Sequence, residues 1–300
     1  MILGDLTFLP TGSVGEASSD IGMPCRPGRV CVTSCGHLGQ GLPVQRPQDV
    51  ALGRRGRCQC ARHSSEAWPG IGADPGSMTS EVVEDEGRFY SKAQQYWKDV
   101  PATVDGMLGG YGHISNTDLA GSRKFLQRFL QDGPDQIGTT YALDCGAGIG
   151  RITKRLLLPI FKTVDMVDVT PDFLAKAKTF LGQDGKRVGN YFCCGLQDFH
   201  PEPNHYDLIW IQWVIGHLTD EHLVAFLKRC KAGLRPNGIV IIKDNATQEG
   251  VVMDEVDSSI CRDVEVVRKL IKEAGLTLLA EEKQKNFPDE IYSVLSFAMR

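Results

Sequence analysis

Tyr141-Ala-Leu-Asp-Cys-Gly-Ala-Gly-Ile-Gly-Arg151 is the stretch that decides the fold of this chain. A short apolar run breaks into three alternating glycines and then enters Ile152-Thr-Lys-Arg-Leu-Leu-Leu158, which predicts a strand, a tight turn and a helix. The glycines lack the side chains that would keep a ligand away from the backbone, and the first helical turn offers free N–H groups to an anion. We therefore expect a nucleotide-like ligand at this turn.

The spacing of the glycines and of two acids narrows the choice of ligand. The stretch reads G-x-G-x-G instead of the dinucleotide-binding G-x-G-x-x-G, and Asp144 stands two residues before Gly146. A second apolar strand, Thr163-Val-Asp-Met-Val-Asp-Val169, places Asp168 near its end, where a carboxylate can bind a ribose diol. Arg151 follows the loop, in position to pair with a cofactor carboxylate. From these residues alone, a glycine turn in another α/β protein stays open.

This pattern resembles the class I S-adenosylmethionine-dependent methyltransferases. The resemblance implies that the loop holds the methionyl part of S-adenosylmethionine. After the predicted third strand, Leu196 is placed to sandwich the adenine ring and Gln197 to contact its polar edge.

Composition excludes several classes of protein. The chain has 300 residues, a net charge of −4 and 42% hydrophobic residues, so a core can form and a general nucleic-acid binder is not expected. No apolar run approaches the roughly 20 residues that cross a bilayer. The first ten residues lack a basic region and are interrupted by Asp5, which argues against a secretory signal. We expect an intracellular protein that binds neither membrane nor nucleic acid.

Residues 1–77 differ in composition from the rest of the chain. They contain 13 Gly, 7 Pro, 7 Arg and no Lys, a composition that buries too little apolar surface to offset chain entropy. We predict a disordered or poorly ordered leader over 1–77 and a methyltransferase domain over 78–300, because Met78 is a natural start of a protein. The leader cysteines fit no paired zinc pattern, so no metal site is expected. The five later cysteines (Cys145, Cys193, Cys194, Cys230 and Cys261) lie on apolar stretches and are predicted to pack in the core.

Strand and helix signals alternate after residue 78. They predict an α/β fold, Rossmann-like, with a seven-stranded, mostly parallel sheet and an N-terminal helical cap. The cap is predicted over 81–98, with Phe89, Ala93, Tyr96 and Trp97 on one stripe. Such a stripe is usually core, but here Trp97 can instead face a ligand. The glycine-rich run Val104-Asp-Gly-Met-Leu-Gly-Gly-Tyr-Gly-His113 is either a loose surface loop or a lid over the substrate.

Polar and aromatic side chains collect after the predicted fourth and fifth strands. They are Gln212, Trp213 and His217, then Asp244 and Asn245, then Asp254, Asp257 and Ser259, with Tyr292 near the last strand. Since parallel strands present their carboxyl ends at one edge, we expect an acidic, aromatic cleft. A free α-amino group has a pKa of about 7.7 to 8.0, so His217 or a buried aspartate is a sufficient base for methyl transfer to an amine. From the residues alone, His217 can also lack a role, and Asp254 with Asp257 can be a solvated charged run.

Four stretches resemble the eukaryotic protein α-N-terminal methyltransferases, which act on N-termini beginning X-Pro-Lys. They are Asp105-Gly-Met-Leu-Gly-Gly-Tyr-Gly-His-Ile114, Asp144-Cys-Gly-Ala-Gly-Ile-Gly-Arg-Ile-Thr-Lys154, Trp210-Ile-Gln-Trp-Val-Ile-Gly-His-Leu-Thr219 and Lys243-Asp-Asn245. The resemblance covers 78–300 and says nothing about the leader.

The resemblance also implies roles for single residues. Those matching the family's S-adenosylmethionine contacts are Gly146, Arg151, Asp168, Leu196, Gln197 and Gln212. Those matching its peptide groove are Trp97, Trp213, Asn245, Asp254, Asp257, Ser259 and Tyr292. Trp213 would pack on the substrate proline, Asp254 and Asp257 would bind the third-position ammonium, and His217 and Asp257 would take the proton from the α-amine.

The expected reaction is methyl transfer to X-Pro-Lys or X-Pro-Arg N-termini after initiator Met removal, giving mono-, di- and trimethylated products. The resemblance implies chromatin-associated and ribosomal proteins as substrates, and a location in nucleus and cytoplasm. Two other functions stay open at this point: a small-molecule amine methyltransferase and a non-catalytic cofactor-binding partner protein. Hydride transfer is disfavoured by the spacing of the loop glycines.

Overall fold

Five parallel strands form the central part of the sheet in a computed structural model, which describes residues 82–300. The order is β3-β2-β1-β4-β5, with β1 Tyr141–Cys145, β2 Thr163–Asp168, β3 Val188–Cys193, β4 Tyr206–Gln212 and β5 Leu234–Ala246. All residues of β4 are buried, as expected for a parallel strand covered on both faces. The strand order reverses between β1 and β4, so the carboxyl ends of these strands open the crevice that binds ligands in such sheets.

Two antiparallel strands complete the predicted sheet, and a hairpin extends it. β9 (Ser293–Met299) lies between β5 and β8 (Leu278–Lys283) and is antiparallel to both. β6 (Val251–Asp254) and β7 (Ser259–Arg262) form a hairpin that joins the end of β5 through the pair Ala246 and Arg262. The seven predicted strands are therefore present. The hairpin was not predicted.

Helices cover both faces of the sheet. They are α1 Glu86–Asp99, α2 Val104–Met107, α3 Ser115–Gln127, α4 Pro171–Leu181, α5 Asp220–Gly233 and α6 Val264–Glu273, with a π-helical turn at Thr153–Leu157. Apolar residues of α5 and α6 pack on one face, and those of α3, α4 and the π-helical turn pack on the other. The result is a three-layer, doubly wound arrangement. Among residues 82–300, no helix is long and apolar enough to span a bilayer.

Helix α1 is the predicted N-terminal cap, although it begins later than expected. Asp85 accepts a hydrogen bond from Arg88 N and starts the helix at Glu86, as an N-cap aspartate does. Phe89 and Ala93 are buried. The contacts that fix the helix to the body include Ser258 Oγ, which donates to Phe89 O over 3.0 Å, and Tyr90 Oη, which lies 2.7 Å from His222 Nδ1.

The cysteine prediction was wrong at the edge of the sheet. Cys145, Cys230 and Cys261 are buried, but Cys193 is exposed and Cys194 is half-buried. β3 is the outermost strand of the parallel part, and none of its six residues is buried, so this edge cannot enclose a cysteine. The predicted leader and its boundary at Met78 lie outside the described residues.

Candidate functional site

The glycine loop forms the floor of a cleft at the carboxyl ends of the strands. Gly146 and Gly148 have φ angles of +67° and +53°, which only glycine adopts at little cost. A Cβ on Gly146 would lie 2.8 Å from Val214 Cβ, and one on Gly148 would lie 2.6 Å from Met107 Sδ. Met107 belongs to the glycine-rich run 104–113, so this run packs over the loop. Glycine at both positions thus lets Val214 and Met107 pack directly on the loop backbone, which lines the cleft.

The cleft has a volume of about 1060 Å³, counted to its open mouth. Every residue predicted to contact the cofactor lines it: Gly146, Arg151, Asp168, Leu196, Gln197 and Gln212. Trp97, Trp213 and His217 line it as well. Residues predicted from separate strand ends therefore meet in one cavity of the size that holds a nucleotide-like ligand.

Two buried acids stand beside the loop. Asp168 accepts hydrogen bonds from Gly148 N and Thr170 N, each over 2.8 Å, and its carboxylate oxygens keep further lone pairs for a ligand hydroxyl. Burial raises its pKa. Asp144 Oδ2 accepts from Thr153 N over 3.0 Å and from Thr153 Oγ1 over 2.5 Å. Burial raises the pKa of Asp144 to about 7, although these hydrogen bonds oppose the shift.

Arg151 has a protein partner that the sequence analysis missed. Its Nη1 lies 2.7 Å from Oδ2 of Asp118 on α3. Asp118 also accepts hydrogen bonds from Lys243 Nζ over 2.6 Å and from Gln212 Nε2 over 2.9 Å. Burial alone would raise the pKa of Asp118, but the charges of Arg151 and Lys243 reverse the effect and hold it below its usual value. Asp118 therefore anchors two of the predicted cofactor contacts from behind.

Trp213 sits in a strained turn directly after β4. Its φ angle is +53°, a conformation uncommon for residues other than glycine. Asp244 Oδ2 holds the turn by accepting Val214 N over 3.1 Å and Ile215 N over 3.2 Å, and burial raises the pKa of Asp244 to about 6. Within residues 82–300, Trp213 Nε1 is buried without a hydrogen-bond partner. The guanidinium of Arg151 lies 5.5 Å from the Trp213 ring centroid.

His217 is held between the cap helix and the hairpin. Trp97 Nε1 lies 2.9 Å from His217 Nε2, and His217 Nδ1 lies 3.2 Å from Ser258 O. An indole N–H can only donate, so Nε2 must accept. The hydrogen-bond network therefore assigns the ring proton to Nδ1, which donates to Ser258 O. In this arrangement the lone pair of Nε2 is occupied.

The remaining predicted peptide residues occupy a neighbouring region. A narrow second cavity, about 230 Å³ when counted to its open mouth, is lined by Asn245 and Ser259 and shares Trp213 and His217 with the main cleft. Asp254 and Asp257 lie in the hairpin, where Asp257 is fully buried and Asp254 half-buried. Tyr292 directly precedes β9 and is half-buried. These last three residues line neither cavity.

A family model described as AdoMet dependent proline di-methyltransferase matches residues 85–300. The chain belongs to this family. N-terminal Xaa-Pro-Lys N-methyltransferase 1 of Mus musculus is 75% identical over 223 residues, which cover 74% of this chain and 100% of the mouse protein. The Homo sapiens protein of the same name is 72% identical over 223 residues, with the same coverage.

Solved structures agree with this family assignment. A SAM-dependent methyltransferase of Leishmania major has a TM-score of 0.68 and 36% identity, and the match covers 74% of this chain and 89% of that one. The structure of DhpI in complex with SAH has a TM-score of 0.51 and 16% identity, covering 71% of this chain and 97% of that one; it shares the fold alone. The predicted class I methyltransferase fold is confirmed.

The cofactor of this methyltransferase is S-adenosylmethionine, and the cleft residues fit it. Gly146 and Gly148 line the cleft, so a ligand there meets the loop without a side chain from either glycine between them. Asp168 has acceptor capacity for a diol at the end of β2. The side chain of Gln212 is held at both ends: its Nε2 donates to Asp118 Oδ1, and its Oε1 accepts from Trp210 Nε1, each over 2.9 Å. Its position is therefore fixed before a ligand arrives.

Proposed function

We propose that this methyltransferase transfers methyl groups from S-adenosylmethionine to the free α-amino group of protein N-termini that begin Xaa-Pro-Lys or Xaa-Pro-Arg. The observation that carries the proposal is the shared wall of the two cavities. Trp213 and His217 face both the cofactor cleft and the smaller cavity lined by Asn245 and Ser259. A substrate group in the smaller cavity would therefore lie next to the cofactor. The names of the two mammalian relatives support the choice of substrate.

The proposed groove selects the peptide by shape and charge. Proline at position two keeps the peptide extended and packs on Trp213, while Trp97 bounds the cleft from α1. Asp254 and Asp257 in the hairpin are assigned to the cationic side chain at position three; because neither lines a cavity and Asp257 is fully buried, this requires the hairpin to shift when the peptide binds. Asn245, Ser259 and Tyr292 complete the groove.

Bound S-adenosylmethionine supplies an electrophilic methyl group on its sulfonium. The protein must place the amine nitrogen in line with that methyl group and accept one proton from the amine. We assign the proton to His217 or Asp257. For His217 this requires that the bond from Trp97 Nε1 be released, because this bond occupies Nε2 before substrate binds.

Loss of either base should lower the rate of the chemical step more than it lowers binding. Replacing a general base typically costs 10²-fold to 10⁴-fold in rate. We therefore expect His217→Asn and Asp257→Asn to lower kcat by about 100-fold or more, measured by single-turnover methylation. A change confined to KM for the peptide would remove the base assignment and leave a binding role.

The products are proposed to include mono-, di- and trimethylated N-termini, and the substrates to include chromatin-associated and ribosomal proteins in the nucleus and cytoplasm. Mass spectrometry of a Ser-Pro-Lys peptide incubated with S-adenosylmethionine tests the reaction, and the number of added methyl groups gives the product degree. The same peptide with an acetylated α-amine, and a Ser-Ala-Lys peptide, are the controls. Methylation of the acetylated peptide would show that the α-amino nitrogen is not the target atom. Equal methylation rates on Ser-Ala-Lys and Ser-Pro-Lys would favour a general amine methyltransferase.

A further inference from the structure

Arg229 on α5 binds the turn that carries the predicted adenine contacts. Its Nε donates to Phe199 O over 2.8 Å, and its Nη2 donates to Leu196 O and to Gln197 O, each over 2.8 Å. Three carbonyl groups of one turn thus converge on one guanidinium. Arg229 does not line the cleft, so it reaches the ligand site only through this turn.

The backbone carbonyls of Leu196, Gln197 and Phe199 have no other hydrogen-bond partner shown among the described residues, although the side chains of Leu196 and Phe199 pack in the core. The turn follows edge strand β3, and Asp198 N donating to Gly195 O over 3.1 Å is its internal backbone bond. Carbonyl oxygens that face the same point repel one another unless a donor with several N–H groups lies between them. Arginine presents five donors in a rigid, permanently charged fork, whereas lysine is a single point charge.

The carbonyls of Leu196 and Gln197 point toward α5 and Arg229, while both residues line the cleft. Leu196 is 6% exposed and packs in the core cluster that contains Phe199 and Phe226. The Arg229 guanidinium lies 5.7 Å from the Phe226 ring centroid, so this core fixes the guanidinium as well.

We propose that Arg229 is a positioning residue for the adenosine half of the cofactor. It acts by holding the backbone of Leu196–Phe199 so that Leu196 and Gln197 keep their places in the cleft. The proposal rests on the assignment of these two residues as cofactor contacts. It gives Arg229 no part in peptide binding or in proton transfer.

The test compares Arg229→Met and Arg229→Lys with Lys231→Met. Lys231 lies on the same helix, and its Nζ donates to a backbone carbonyl, that of Gly275, away from the cleft. We expect Arg229→Met to raise KM for S-adenosylmethionine and Kd for 5′-methylthioadenosine by about tenfold, with Arg229→Lys intermediate. The kcat at saturating cofactor and KM for the peptide should stay within about twofold of the parent values. Lys231→Met should match the parent protein throughout.

A double-mutant cycle with Leu196→Ala separates positioning from general stability. If Arg229 acts through the turn, Arg229→Met should weaken cofactor binding much less in the Leu196→Ala background than in the parent. Additive effects, or equal increases in KM for cofactor and peptide, would overturn the proposal. If Arg229→Met does not fold, Arg229→Lys must show the selective rise in cofactor KM, and its absence would also overturn it.

Failure of this proposal is distinguishable from failure of the proposed function. Binding of 5′-methylthioadenosine requires no peptide and no methyl transfer. A parent protein that binds S-adenosylmethionine without methylating Ser-Pro-Lys would contradict the proposed function and leave the test of Arg229 intact. If Leu196→Ala and Gln197→Ala bind S-adenosylmethionine and 5′-methylthioadenosine as the parent does, these residues are not cofactor contacts, and the proposal for Arg229 fails with them.

Discussion

Asp144 lies in the cleft at a cost in stability. Burial raises its pKa from 3.8 to about 7. Because the folded-state pKa is the higher one, the protonated carboxyl favours the folded state below about pH 4, and this stabilisation is lost as the pH rises through 7. The loss amounts to at most about 4 kcal/mol, at about 1.36 kcal/mol for each pKa unit. An ionised Asp144 therefore destabilises the fold at neutral pH.

Asp144→Asn removes this titration and keeps an oxygen acceptor for the two donors of Thr153. We expect its free energy of unfolding to exceed that of the parent at pH 8 by about 1 to 3 kcal/mol, and the difference to shrink toward pH 4. We also expect weaker binding of S-adenosylmethionine, since Asp144 lines the cleft. Urea unfolding at pH 4.5, 6 and 8 checks the first point. A stability difference that is constant with pH would contradict it.

The bond from Trp97 to His217 gives a second prediction for a single side chain. Trp97→Phe keeps a ring in the cleft but removes the donor to His217 Nε2. We expect the ¹⁵N shift of His217 Nε2 to change in the free enzyme, and kcat for a Ser-Pro-Lys peptide to stay at or above the parent value, because Nε2 can then accept the proton without first releasing a bond. Gln95→Ala is the control, because Gln95 bonds to Asp99 on the exposed side of α1. Identical ¹⁵N shifts in parent and Trp97→Phe would show that the bond is not present in solution.

At the scale of elements, the hairpin β6–β7 brings acids to the cap helix. Its tip residue Glu255 lies 2.8 Å from Lys92 on α1, while Asp254 stands one residue earlier at the end of β6. We expect Asp254→Asn to raise KM for a Ser-Pro-Lys peptide by about tenfold and to leave KM for Ser-Pro-Gln unchanged. Glu255→Gln is the matched control, since its carboxylate is exposed and paired with Lys92. Equal effects of the two substitutions on Ser-Pro-Lys would show general electrostatic attraction without a specific contact.

The sequence pattern does not predict the hairpin. Strands β1, β2 and β4 are largely apolar runs with one or two aspartates each, and mostly apolar composition is typical of a buried parallel strand. The hairpin strands, Val-Val-Met-Asp and Ser-Ile-Cys-Arg, are four residues each, too short to show a clear period of two. The π-helical turn at Thr153–Leu157 was likewise read as an ordinary helix. Thr153, its first residue, is hydrogen-bonded to Asp144 on β1, a contact that a local pattern does not contain.

At the scale of the molecule, strand order explains why the predicted cofactor residues meet. Each stands at or just beyond the carboxyl end of a parallel strand, and the reversal between β1 and β4 brings those ends to one crevice. Asp118 and Arg229 were missed for a different reason. They lie within helices and act from behind the cleft, one through Arg151 and the other through the turn after β3. Sequence periodicity predicts which face of a helix is buried, but not which buried polar group meets a distant loop.

The same architecture predicts that residues 1–77, which the sequence predicts to be a leader, are dispensable for the reaction. The family match covers residues 85–300, and every residue that lines the two cavities lies between Tyr90 and Cys261. We therefore expect residues 78–300 alone to have the same Tm and, within about twofold, the same kcat/KM for a Ser-Pro-Lys peptide as the full chain. Side-by-side thermal unfolding and initial-rate assays test this. A truncated protein with lower kcat/KM but unchanged Tm would assign residues 1–77 a part in substrate binding or turnover, whereas a fall in Tm would assign them a part in folding.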